Sequence, residues 1–248
     1  FKELAEVDIT KDPMEVGPTL HYFMGGIRVD SETQMTQVPG LFACGECSGG
    51  MHGANRLGGN SLSDLLVFGK RAGEYAAEFA KENGATGVHD SAIADTIQWA
   101  LAPIERQDTE GGGESPYQIQ YDLQDTMQEL VGIVRTQEEM DQAVEKIASL
   151  KQRADQAAAP GNREYNPGWH TALDLHNLLT VSEAVARAAA RRQESRGAHF
   201  REDYPDKDEE WGKTSLVVKK GSDGTMEISR EPVMDIPVEL QAIIEENG

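Results

Sequence analysis

The stretch His52–Gly69 reads HGANRLGGNSLSDLLVFG. It sets a histidine, an asparagine and an arginine among glycines and runs straight into an apolar helical pattern. A helix start leaves its first backbone N–H groups unpaired and carries about half a positive charge. Gly58 and Gly59 let a partner come close to that bare backbone. On this reading the amides of Ser61 and Leu62 point out of the helix. Arg56 adds a permanent charge whose fork suits a carboxylate. The stretch is therefore a candidate docking point for something anionic or electron-rich. The competing reading is a tight loop whose Asn or Ser only caps the helix.

Working backwards, PTLHYFMGGIRVDSETQMTQVPGLFACGE, residues 18–46, reads as β structure. GIRVD and QMTQV are expected as short strands joined by a turn. PGLFACGE is expected as a buried strand ending at a glycine. Working forwards, the pattern predicts a helix from about Asn60 to Asn83. Leu62, Leu65, Leu66, Phe68, Ala72, Tyr75, Ala76 and Phe79 form its apolar face, and Gly84 closes it. SAIADTIQWALAPIERQ, residues 91–107, is expected to be helical, and DTEGGGES, residues 108–115, a loop. Pro116 at the first helical position opens a helix running to about Arg135. TQEE at 136–139 is a capping box for the next helix, through KIASLKQRADQAAA. A last long helix spans TALDLHNLLTVSEAVARAAARRQES, residues 171–195, completing a helical bundle with short connections. TSLVVKK and TMEISRE around GSDG give a hairpin in a polar tail.

The 248 residues suit one large domain or two small ones. Forty-three acidic against 23 basic residues give a net charge of −20. That balance argues against non-specific nucleic-acid binding and against attraction to an anionic membrane surface. An anionic substrate would have to be held by a few local cations. No apolar run of about 18 residues is present, so no span is expected. The opening FKELAEVDITKDP carries no start signal and reads as the interior of a longer protein.

Cys44 and Cys47 are the two cysteines. Their C-x-x-C spacing lacks the second ligand pair that a zinc site needs, so no metal site is expected, and no disulfide framework exists. Two cysteines fit a reducing compartment. Glu46 between them can accept hydrogen bonds from ribose or ribityl hydroxyls, the alternative being an ordinary loop acid. His21, His52 and His199 each read first as packed residues, and His89, His170 and His176 have no constellation around them. Arg196 and His199 read as pins for the polar tail. G-x-G-x-x-G, Walker, H-E-x-x-H and G-x-S-x-G motifs are all missing.

HYFMGGI, PGLFACGE, HGANRLGGNSLSDLLVFG and ESRGAHFREDYPDKDEEW, in that order, resemble the flavoprotein subunit of succinate dehydrogenase and fumarate reductase. The resemblance covers essentially all 248 residues and the C-terminal part of the family's chain. It implies an α/β plus α fold. Residues 1–20 would end a substrate-capping region or linker, and 21–84 would be the C-terminal part of a Rossmann-like FAD-binding domain. A helical bundle domain would follow at 85–196, and a tail with a β-hairpin at 197–248.

The resemblance further implies hydride transfer between the succinate/fumarate carbon pair and FAD. His21 and Arg56 would hold substrate carboxylates, Glu46 would contact FAD, Ser61 and Leu62 would offer backbone amides to the flavin ring, and Asn60 would bind the cofactor beside them. The family's dinucleotide fingerprint, flavin-linking His and proton-transferring Arg are expected upstream of Phe1. No catalytic residue is therefore assigned here, and these residues alone are expected to be inactive. The implied partners are an iron–sulfur subunit, with membrane anchor subunits reached through it. The implied place is peripheral, on the cytoplasmic side of the inner cell membrane. L-aspartate oxidase, which shares H-G-A-N-R, and a non-catalytic helical interaction module are the alternatives.

Overall fold

A computed structural model describes residues 1–17, 19–84, 87–106 and 113–247. Its helices α1 (Asn60–Asn83), α2 (Asp90–Glu105), α3 (Pro116–Leu130), α4 (Gln137–Ala154) and α5 (Pro167–Arg191) supply most of the ordered backbone. Two-residue strands β1 (Val134–Arg135) and β2 (Phe200–Arg201) pair in parallel. After α6 (Glu209–Gly212) come β3 (Thr214–Lys220) and β4 (Met226–Pro232), then α7 (Val238–Asn247).

The core lies where α3, α4 and α5 meet. Ile119 and Leu123 come from α3, Ala143, Ile147, Leu150 and Ala154 from α4, and Ala172, Leu175, Leu179 and Ala186 from α5. The i, i+3, i+4 spacing puts each set on one stripe. The alanines let the helix axes approach while leucine and isoleucine fill the gaps. α2 joins through the Trp169 indole N–H, which donates to the Ala100 carbonyl at 2.6 Å.

Local rules explain the ends. Thr136 and Glu139 form the expected capping box, each side chain bonded to the other's backbone N–H. α3 starts with Pro116 at its first turn, but it stops at Leu130 rather than near Arg135. Val134 and Arg135 leave the helix to pair with Phe200 and Arg201. α5 begins earlier than the sequence pattern indicates, because Asn166 caps it by accepting the Trp169 N–H at 3.0 Å. It ends at Arg191, four residues short of Ser195. The hairpin forms as expected, pairing Leu216 with Arg230 and Val218 with Ile228. The loop reading at 108–115 falls largely on residues 108–112, outside the described ones.

The first 84 residues depart most from expectation. GIRVD, QMTQV and PGLFACGE are not strands among the described residues. They contribute two isolated bridges, Ile27 with Ser48 and Met35 with Phe42. A strand persists only when a neighbour takes its N–H and C=O groups, and here the segments meet at single points. The CGEC stretch closes as a 3₁₀ turn, Gly45–Cys47, rather than as a strand end. α1 has the predicted bounds, yet Leu62, Leu65 and Leu66 on its expected apolar face are exposed. Its C-terminal half packs instead, with Phe79 edge-on to Phe42 at 6.2 Å and against Gly40.

Candidate functional site

The loop before α1 bends on glycines with left-handed torsions, among them Gly53 (φ 54°) and Gly59 (φ 83°). Gly59 is the N-cap of α1, so no side chain caps this 24-residue helix. The reading in which Asn60 or Ser61 merely serves as the cap does not hold. The Asn60 amide donates to Leu57 O at 3.2 Å and the Leu62 amide to Gly59 O at 3.3 Å. The Ser61 amide finds no backbone acceptor among the described residues. A Cβ at Gly58 or Gly59 would meet nothing within 4 Å, so the helix start opens onto free space.

Arg56 stands beside that start. Its Cζ lies 4.7 Å from the Tyr22 ring centroid, a cation–π contact. Its Nη1 donates to Leu57 O at 3.2 Å, and its Nε is buried without a partner among the described residues. Most of the fork's donors are thus left uncommitted.

Tyr22 is itself anchored. Its hydroxyl donates to Asp64 Oδ2 at 3.2 Å and lies 3.3 Å from His52 Nε2, which is 3.4 Å from the same carboxylate oxygen. With its one proton given to Asp64, the Tyr22 oxygen accepts from a His52 Nε2–H. Burial, reinforced by the hydrogen bond to Asp64, raises the phenol pKa above its ordinary value and keeps it a donor. The Asp64 side chain is 3% exposed and that of His52 6%, so this is a buried polar cluster. Asp64 Oδ1 has no partner among the described residues.

His21, the neighbour of Tyr22, is exposed, with its ring centroid 6.4 Å from that of Tyr22. His21 and Arg56 therefore border one aromatic ring. Glu46 joins them through the backbone, its Oε1 accepting the Phe23 N–H at 3.1 Å. The 3₁₀ turn carrying Glu46 is tied to this segment because Ile27 N donates to Cys47 O at 2.8 Å. Gly26 permits that approach, since a Cβ there would stand 2.4 Å from the Cys47 carbonyl oxygen.

The second motif, ESRGAH, also reaches this loop. The Ala198 amide donates to Ala54 O at 3.0 Å. Behind it, Glu194 is fully buried and accepts from Arg192, from Arg196 Nε at 3.0 Å and from the Asp208 amide at 3.0 Å. Burial works to raise the Glu194 pKa, and these donors outweigh it, holding the carboxyl below its usual range. His199 Nδ1 faces Arg135 Nη1 at 3.0 Å, and its Nε2 lies 3.2 Å from Arg192 O. An arginine can only donate, so the Nδ1 accepts and the proton sits on Nε2. Burial, with Arg135 nearby, lowers the His199 pKa to about 4.

Sequence reasoning names His21, Glu46, Arg56, Asn60, Ser61 and Leu62. The first three lie about Tyr22, and the last three form the first turn of α1. The Leu62 amide does not point outward as expected, because it closes the turn on Gly59 O. It misses Tyr22 and Asp64 and reads His52 only as a packed residue. Tyr22 lies 30 residues from His52 and 42 from Asp64, and no short motif links them. The donors and acceptors left over at this site have the chemistry to hold a flavin and, at Arg56, a carboxylate. A free helix-start amide suits a ring carbonyl, and the uncommitted guanidinium suits a carboxylate. Glu46 keeps one oxygen without a partner among the described residues, which suits a hydroxyl. No cluster of three or more metal-ligating side chains occurs among the described residues. No helix of the described residues is long and apolar enough to cross a membrane.

Residues 1–62 match the family described as FAD binding domain, and residues 120–243 match fumarate reductase flavoprotein C-term. The fumarate reductase flavoprotein subunit of Haemophilus influenzae is 42% identical over 205 residues, covering 82% of this chain and 34% of its own. The succinate dehydrogenase flavoprotein subunit of Coxiella burnetii is 36% identical over 243 residues, covering 93% of this chain and 41% of its own. The solved structure of Mycobacterium smegmatis Sdh1 in complex with UQ1 superposes with a TM-score of 0.88 at 47% identity. It covers 100% of this chain and 41% of that one. The chain thus spans between 34% and 41% of the length of these relatives.

Proposed function

This chain belongs to the fumarate reductase and succinate dehydrogenase flavoprotein family, and on that premise we propose that it forms the dicarboxylate-clamping part of an FAD oxidoreductase interconverting succinate and fumarate. The observation that carries the reading is Arg56. It sits at the uncapped start of α1 with most of its fork uncommitted, and it shares the Tyr22 ring with His21.

When bound, FAD supplies the hydride acceptor and donor. Arg56 binds one substrate carboxylate and fixes its orientation, which is how a clamp lowers a barrier. His21 binds the other. A bound flavin would be held by the first turn of α1, Asn60, Ser61 and Leu62, where the positive helix end and the Ser61 amide would favour negative charge on it. Glu46 accepts a hydroxyl of the cofactor. The proton-transferring arginine and the groups holding the FAD phosphates belong to the part of the relatives' length that these residues do not span. These 248 residues alone would then bind FAD weakly or not at all. The chain's electrons pass to an iron–sulfur subunit, then on to membrane anchor subunits. That places it peripherally on the cytoplasmic side of the inner membrane. The domain division at residues 20, 84 and 196 belongs to the same reading.

The test is dye-coupled succinate oxidation by the full-length flavoprotein, with Arg56→Ala and His21→Ala beside wild type. Loss of most turnover with flavin and fold retained supports the clamp. Turnover of aspartate in place of succinate would shift the reading to an L-aspartate oxidase. A yellow preparation of the 248 residues with stoichiometric FAD would overturn the proposed division of labour.

A further inference from the structure

Arg56 is a long side chain at a glycine-rich loop, and one backbone acceptor does not fix its fork. A flexible guanidinium loses freedom each time it binds a carboxylate, so something must hold it ready. Among the described residues, the group touching its charged face is the Tyr22 ring, at 4.7 Å. That ring has little freedom of its own. Its hydroxyl is tied to Asp64, which is buried on the second turn of α1, and to the buried His52. α1 is a 24-residue helix, so this tether references Tyr22 to a rigid element. On the backbone side, the next amide, Phe23 N–H, is held by Glu46. One residue thus joins the arginine, the neighbouring His21, the acidic turn and the helix.

We propose that Tyr22 is a positioning residue, anchored by Asp64, that preorganises Arg56 for a dicarboxylate. The ring aligns the guanidinium plane, and the hydroxyl fixes the ring. The proposal rests on the clamp reading above and adds to it a ranking of substitutions. Tyr22→Phe keeps the aromatic face and loses the tether. Tyr22→Leu loses both. Asp64→Asn keeps a hydrogen-bonding shape while removing the charge that draws the Tyr22 proton.

The experiment uses the full-length flavoprotein and reads two quantities. One is the dissociation constant of malonate, a saturated dicarboxylate, measured by calorimetry. The other is the split between KM and kcat for succinate. Tyr22→Leu is expected to weaken malonate and raise KM by about tenfold, the size of a lost partly buried cation–π contact. Tyr22→Phe and Asp64→Asn are expected to fall between that variant and wild type, with flavin content unchanged in all three. A purely structural role for Tyr22 would instead lower flavin content and kcat together. The decisive comparison is a double-mutant cycle. In an Arg56→Ala background, Tyr22→Leu should cost nothing further in malonate binding. If the two changes add, or if Tyr22→Leu binds malonate as wild type does, the inference fails while the clamp reading stands. If Arg56→Ala itself leaves malonate binding unchanged, the clamp reading fails first.

Discussion

Gly197 lies against the carbonyl of Ala54 so closely that a Cβ on it would stand 2.3 Å from that oxygen. Its φ of 60° is also in the region that L side chains avoid. The next amide, Ala198 N–H, donates to the same carbonyl at 3.0 Å. The contact fastens the loop after α5 to the loop that carries Arg56.

Gly197→Ala should therefore be costly twice, through torsion and through displacement of Ala54. The expected loss is roughly 2–4 kcal/mol of stability, combining a strained φ with overpacking. Urea denaturation measures it. Gly58→Ala is the control, because a Cβ there meets nothing within 4 Å, and it should change stability by less than about 0.5 kcal/mol. Equal losses in the two variants would mean that the close approach of Gly197 to Ala54 carries no special cost.

Thr136→Ala removes half of the capping box on α4. Thr136 Oγ1 takes the Glu139 amide at 3.4 Å, and Glu139 Oε2 takes the Thr136 amide at 3.1 Å. The expected cost is about 1 kcal/mol. Glu139→Gln should cost less, since the amide oxygen can still accept. α4 is one of the three helices of the central bundle, so far-UV dichroism should follow the same transition as tryptophan fluorescence.

His199 makes stability depend on pH. Its pKa falls from 6.5 to about 4 in the fold, through burial first and then the nearby arginines. Between those values the unfolded chain binds a proton that the folded one refuses. A depressed folded pKa gives stability that is full above about 6.5 and is lost as pH falls toward 4. Melting temperature should drop across that window. In His199→Gln the drop should be shallower, with the glutamine still able to meet Arg135 and the Arg192 carbonyl. A wild-type protein whose stability is flat from about pH 7 to about pH 5 would contradict the buried, neutral assignment.

The parts of this molecule that sequence makes legible are those governed by neighbours in the chain. The 3.6-residue pattern of α1 marks Asn60 and Asn83 as its ends, and TQEE marks the capping box, because both signals act within a turn or two. Met35 and Phe42 look like strand residues and are joined only by an isolated bridge. Whether a segment becomes a strand depends on a partner that its own composition cannot specify. The candidate site divides the same way. Arg56 and Ser61 stand out through a local glycine-rich helix start. Tyr22 and Asp64 do not, because an ordinary tyrosine and an ordinary helix acid gain their meaning only when the fold brings them together across 42 residues of chain. The docking of Gly197 on Ala54 is illegible for the same reason, although each of the two motifs is distinctive by itself.

Glu194 is the buried centre of an ion-pair network just beyond α5. Its carboxylate is fully buried, and Arg192, Arg196 and the Asp208 amide all point donors at it. Arg192 also donates to Trp211 O and Thr214 O, so the network ties α5 to α6 and β3. Removing a carboxylate from such a centre strands two cations and an amide, at a cost of about 3–5 kcal/mol. Glu194→Ala should lose that much, and Glu194→Gln less, because its amide oxygen still accepts while the charge is gone. Arg196 precedes Gly197, so the same carboxylate also sets where the loop meets Ala54. Glu194→Ala and Gly197→Ala should then combine to less than the sum of their separate costs, since either change alone already loosens the contact. Strict additivity in urea denaturation would mean that the ion-pair centre and the Ala54 contact are independent. In that case Glu194 stabilises the tail without helping to place the loop that carries Arg56.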